Sequence, residues 1–65
     1  MPVITVEGSK MSKEKKAELV KQLVKAASSV MEIPEEAFVT LIRENDFDNI
    51  GNGMMLLSEK RRKQS

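Results

Sequence analysis

The chain has no cysteine, no histidine, no tryptophan and no tyrosine, and its only aromatic residues are Phe38 and Phe47. Without cysteine there is no disulfide framework and no thiolate nucleophile. Without cysteine and histidine together, the usual zinc-ligand patterns and any Ser-His or Cys-His catalytic pair are excluded. A dominant charge is missing too: eleven basic residues stand against ten acidic ones, for a net charge of +1, so the whole molecule does not read as a polyanion binder. No apolar run approaches the roughly 20 residues of a membrane span, and the N-terminus lacks the basic region and apolar stretch of a secretory signal. These absences predict a soluble cytoplasmic protein with no membrane partner and no metal. Length sharpens the point. A chain of 65 residues buries only about 60% of the surface exposed when unfolded. With disulfides and metal gone, assembly with other copies is the staple that remains.

What is present begins at the first residues, Met1-Pro2-Val3-Ile4-Thr5-Val6. Removal of Met1 is expected when the second residue is as small as proline, and Pro2 would then carry a free secondary amine at the head of a strand. Such an amine is a base and potential nucleophile that needs no cofactor, and with a carbonyl it forms only a charged iminium. Pro2 is therefore the leading candidate for chemistry.

Val3 to Val6 is rich in β-branched residues and ends at Glu7-Gly8, which predicts a strand and a turn. Ser12 is placed to cap a helix, with Glu14 in the favourable first turn. Ala17, Leu19, Val20, Leu23, Val24, Ala27, Val30 and Met31 then recur at three- and four-residue spacing, predicting one amphipathic helix from Ser12 to Met31 whose lysine-rich side is solvated. Ile33-Pro34 ends it. A short turn over 34–37 leads to a second strand, Phe38 to Arg43, with Phe38, Thr40 and Ile42 on one face and Val39, Leu41 and Arg43 on the other. Glu44 to Asn49 reads as a polar loop holding Phe47. Gly51-Asn52-Gly53, with Ile50 before it and Met54 to Leu57 after it, predicts a small hairpin. Residues 58–65, with Lys60-Arg61-Arg62-Lys63, are expected to be the frayed basic tail of a single domain spanning 1–65.

Strand, helix, strand predicts an α+β class β-α-β subunit with parallel strands, one long helix and a C-terminal β-hairpin. Both faces of both strands are apolar, and one helix covers only one face. Parallel sheets are normally buried on both sides, so a homo-oligomer is expected.

Met1-Pro2 opening a strand, the Ser12-initiated helix, Pro34 before Phe38-Val39-Thr40-Leu41-Ile42-Arg43-Glu44, and the glycine-bearing Ile50-Gly51-Asn52-Gly53 together resemble the 4-oxalocrotonate tautomerase family over nearly the whole chain. The resemblance implies a cofactor-free enzyme, assembled as a hexamer of β-α-β subunits, whose amino-terminal proline shifts a proton between carbons of an unsaturated keto acid. Its best-known members hold the substrate with one arginine before the helix, another on the second strand, and an aromatic residue in the loop before the hairpin. Here the pre-helix segment is Ser9-Lys10-Met11, so Lys10 is the nearest cation. Val39 stands where the strand arginine would fall, with Arg43 four residues on along the same face, and Ile50 takes the aromatic position with Phe47 nearby.

The site expected is then Pro2 as general base, Arg43 and Lys10 as cations for the substrate carboxylate, and Phe47 and Ile50 as pocket wall, while Phe38 reads as core. Burial and nearby cations both disfavour a charged Pro2, which would lower its pKa toward the working range of a base. The same cations would stabilise the dienolate. Two alternatives stay open: the same scaffold hydrating or dehalogenating an unsaturated acid, or a non-enzymatic module whose basic tail contacts phosphates. No aromatic platform accompanies that tail, and nucleic acid is not the expected partner.

Overall fold

The element with the strongest local determinants is the helix α1, Lys13–Met31. The Ser12 side chain accepts the Lys15 amide at 3.2 Å, satisfying one of the donors that a helix start leaves open. At the other end Glu32 adopts the left-handed conformation (φ 57°), and its amide returns to the Ser28 carbonyl at 2.9 Å. Pro34 follows two residues on and cannot continue the helix. The computed structural model describes the backbone of residues 1–64 and the side chains of residues 1–60.

Strand β1, Val3–Gly8, pairs in parallel with β2, Val39–Glu44, in an unbroken register from Val3↔Val39 to Gly8↔Glu44. A 3₁₀ turn at Glu35–Ala37 joins α1 to β2. Along both strands exposure alternates: Ile4, Val6, Thr40 and Ile42 are half-buried on one face, while Val3, Val39 and Leu41 are exposed on the other. The helix therefore covers one face and leaves an apolar face open. No helix among the described residues is long and apolar enough to cross a membrane.

After a second 3₁₀ turn, Phe47–Asn49, the chain forms a minimal hairpin from β3, Gly51–Asn52, and β4, Met55–Leu56. The turn sits at Gly53-Met54, one residue later than the Gly51-Asn52-Gly53 run suggests. Gly53 takes the positive φ of 64° that a two-residue hairpin loop places at its first position. The chain then enters a second helix, α2, Leu57–Gln64, where the sequence reading expects a frayed tail. Good helix formers occupy the segment, the Glu59 carboxylate accepts the Leu56 amide at 3.0 Å, and Lys60 Nζ donates to Asn52 Oδ1 at 2.7 Å.

None of the described residues is fully buried. The radius of gyration is 15.6 Å, against about 11 Å for a compact domain of this length. The accessible surface is 5394 Å², where a compact monomer of this mass exposes about 4,200 Å². Hairpin and α2 reach away from the β-α-β unit rather than folding onto it.

Candidate active site

Parallel pairing decides where the candidate residues fall. The Val39 amide donates to the Pro2 carbonyl at 3.0 Å, one step ahead of the Val3↔Val39 pair. Residue 2 is thus held against the start of β2 by the main chain. Met1 beyond it is 89% exposed, open to an aminopeptidase.

The cations lie elsewhere. Arg43 pairs in register with Glu7, four residues past Val39, which is about 13 Å of extended chain. Its Nη1 faces Glu7 Oε2 at 4.0 Å with both side chains mostly exposed, an arrangement worth little in water. Lys10 lies in the loop after β1, and is exposed. Six residues separate Pro2 from Gly8, about 20 Å along the strand. Within one subunit, Pro2 and the cations therefore occupy opposite ends of the sheet. Phe47 and Ile50 are half-buried in the segment beyond β2, Phe47 in the turn that packs on α2. They belong to the far end as well.

At that end the structure shows a set of contacts that the sequence reading does not single out. Glu44 Oε2 accepts the Met11 amide at 3.0 Å and meets Lys16 Nζ at 2.8 Å. The bond to Lys16, then the Met11 amide, with added field from Lys10, holds the Glu44 carboxyl below the ordinary glutamate value. Asn45 reinforces the junction, its amide donating to the Gly8 carbonyl at 2.8 Å and its side chain to Glu7 Oε1 at 3.1 Å. The pre-helix loop that carries Lys10 is thereby tied to the end of β2. Thirty-three residues separate Met11 from Glu44, and no local pattern announces such a contact.

A cleft of about 590 Å³ opens between α1 and the outer edge of β2, floored by Val20, Val24, Phe38 and Thr40 and flanked by Lys21 and Lys25. Phe38, expected as core, is half-exposed in this cleft. The Thr40 hydroxyl is buried there without a hydrogen-bond partner among the described residues. None of the sequence-predicted site residues lines it.

The β-α-β unit headed by Pro2 matches the model of the family described as "Tautomerase enzyme" over residues 2–59. The chain belongs to the tautomerase family. Its tautomerase fold is shared with TomN, a 4-oxalocrotonate tautomerase homologue of the tomaymycin biosynthetic pathway, at 26% identity and a TM-score of 0.90, covering 98% of this chain and 100% of that one. DmpI from Archaeoglobus fulgidus is similar at 33% identity and a TM-score of 0.80, covering 88% of this chain and 98% of that one. YwhB, another 4-oxalocrotonate tautomerase homologue, is similar at 27% identity and a TM-score of 0.83, with 89% and 97% covered. No curated protein matches the chain. The tautomerase match begins at Pro2 itself and takes in the hairpin and the first residues of α2.

Proposed function

We propose that this tautomerase is a cofactor-free isomerase that shifts a proton between carbons of an unsaturated keto or enol acid, with Pro2 as general base once Met1 is removed. The observation that carries the reading is the main-chain anchoring of residue 2, which fixes its nitrogen at the strand head while Met1 stays exposed. Neutral Pro2 takes a proton from the carbon alpha to the carbonyl. The electrons pass into the conjugated system as a dienolate, and the protonated Pro2 returns the proton at a more distant carbon. No atom is gained or lost. An apolar setting keeps the amine neutral at rest, and a cation beside the oxygen stabilises the dienolate.

Arg43 and Lys10 are the cations proposed for the substrate carboxylate, with Phe47 and Ile50 as its apolar wall. Because all four sit at the far end of the sheet from Pro2, the site is completed between subunits. The open apolar face, the lack of any fully buried residue among those described and the excess surface support a homo-oligomer, and a hexamer is the assembly proposed. Membership of the tautomerase family supports the isomerase class.

The test has two parts. Intact mass should show the chain without Met1, and that material should ketonise a simple 2-hydroxy-2,4-dienoic acid while Pro2→Ala loses most of that activity. Full turnover by protein retaining Met1, whose Pro2 nitrogen is an amide, would remove proline from the mechanism.

A further inference from the structure

Four residues, 9–12, link the end of β1 to the start of α1, and three anchors leave little of that link free. The Gly8 carbonyl accepts the Asn45 amide at 2.8 Å. The Met11 amide donates to Glu44 Oε2 at 3.0 Å. Ser12 is committed to the helix, its carbonyl accepting the Lys16 amide at 3.0 Å and its hydroxyl the Lys15 amide at 3.2 Å. Only Ser9 and Lys10 lie between the first two anchors, and both anchors come from consecutive residues, Glu44 and Asn45, at the end of β2. Without the Glu44 carboxylate the bend would be held at Gly8 and Ser12 alone.

The charges at this junction leave Lys10 available. Lys16 Nζ lies 2.8 Å from the same Glu44 oxygen, so that carboxylate is already paired. Lys10 is exposed and has no ion-pair partner among the described residues. An ammonium whose backbone is fixed and whose charge is unpaired binds an anion without first ordering a loop or breaking another pair.

Resting on the reading of Lys10 as a cation for the substrate carboxylate, we propose that Glu44 is a positioning residue that acts through Lys10. Its bond to the Met11 amide fixes the Ser9-Lys10 bend, and its pairing with Lys16 keeps it from drawing the Lys10 ammonium away from the substrate. Glu44 itself needs no contact with the reacting molecule.

The experiment uses the full chain lacking Met1, with 2-hydroxy-2,4-pentadienoic acid and its methyl ester as the two probes. Glu44→Ala should raise KM for the acid about threefold, the size expected of Lys10→Ala, and leave KM for the ester within about 1.5-fold of wild type. In a Lys10→Ala background the same substitution should add nothing, because residues that act through one group are not additive. Glu44→Gln, whose side-chain oxygen can still accept the Met11 amide, should keep the wild-type KM for both probes. Amide exchange supplies a readout apart from turnover: the Met11 amide should lose protection in Glu44→Ala and keep it in Glu44→Gln. An effect of Glu44→Ala that is equal on acid and ester, or that persists in full beside Lys10→Ala, overturns the proposal and leaves Glu44 a structural tie. So does a Met11 amide equally protected in Glu44→Ala, or an acid-selective rise in KM in Glu44→Gln. The underlying reading fails separately. Lys10→Ala with unchanged KM for the acid removes the cation itself, whereas an acid-selective Lys10→Ala with an additive Glu44→Ala removes only the role given to Glu44.

Discussion

The two ends of the parallel sheet differ in kind. At the β1 start, Pro2, Val3 and Val39 form an apolar rim held by a main-chain bond from the Val39 amide to the Pro2 carbonyl. At the other end Glu7, Lys16, Arg43, Glu44 and Asn45 are linked by ion pairs and hydrogen bonds from side chains. Parallel pairing enforces this polarity, because both strands start at one end and finish at the other. The lesson is that parallel pairing keeps the proposed base and the proposed cations apart within one subunit, so that the proposed homo-oligomer is what would bring a charged end to an apolar one.

The hardest blow to the comparison comes at Pro2. Pro2→Ala, with Met1 removed, should keep the fold and an amine of some basicity but lose most of kcat on a simple dienol acid, up to about 10²-fold. Retained Met1 should cost more, since an amide nitrogen has no basicity. Stopped-flow ketonisation assays read both: a change under threefold in Pro2→Ala would show that the ring is dispensable, and one under threefold with Met1 retained would show that the apolar end holds no base.

Next in size is assembly. Leu41, 46% exposed on the open face, is proposed to be covered by another copy, so Leu41→Asp should shift sedimentation toward a smaller species and lower Tm. The wild-type Tm should rise with protein concentration, as mass action requires when folding and association are coupled. A monodisperse, folded monomer at micromolar concentration would show that the ends never meet.

Smaller effects distinguish the cations. Arg43→Ala should raise KM for an acid about tenfold over its effect on an uncharged enol of similar shape, and Lys10→Ala about threefold, because a strand-mounted guanidinium offers a planar fork to a carboxylate while a loop lysine is a mobile point charge. Equal effects on both substrates would make Arg43 a surface charge.

The smallest change is expected at Glu44. Its carboxyl is depressed by Lys16 and the Met11 amide, so it contributes stability above its unfolded value, near 4.5, that is lost as pH falls through its lower folded value. Glu44→Gln can keep the Met11 bond but not the ion pair, and should flatten this acid limb in thermal scans between pH 3 and 7. An acid limb identical to wild type would place its origin in other carboxylates.

Much of the fold is legible because its signals are local. Ser12, the apolar spacing from Ala17 to Met31 and Pro34 bracket the helix to within a residue, and the strands follow from β-branched runs bounded by turns. The hairpin slips by one residue because two glycines flank Asn52 and only Gly53 takes the positive φ. Helix α2 is not legible: Ser58 to Gln64 has no apolar period, and although the bond of Glu59 to the Leu56 amide is local, that of Lys60 to Asn52 spans the hairpin turn. For the site, Pro2 stands out by chemistry alone. The separation of Arg43 and Lys10 from it appears only once the register is known, and Glu44 reaches the Met11 amide from 33 residues away.

The contact that holds residue 2 in place involves its carbonyl, a group that every amino acid carries. The location of the residue 2 nitrogen is therefore written in the main chain, and the reactivity proposed for it in the side chain. Another residue at this position should present its nitrogen at the same point in space. A primary amine there condenses with a carbonyl to a neutral imine, which proline cannot form. The fold thus offers a mount for an exchangeable amine: aldehyde and borohydride should capture Pro2 through a charged iminium and Pro2→Ala, with Met1 removed, through an imine that is neutral when unprotonated, and the pH dependence of capture would distinguish the two.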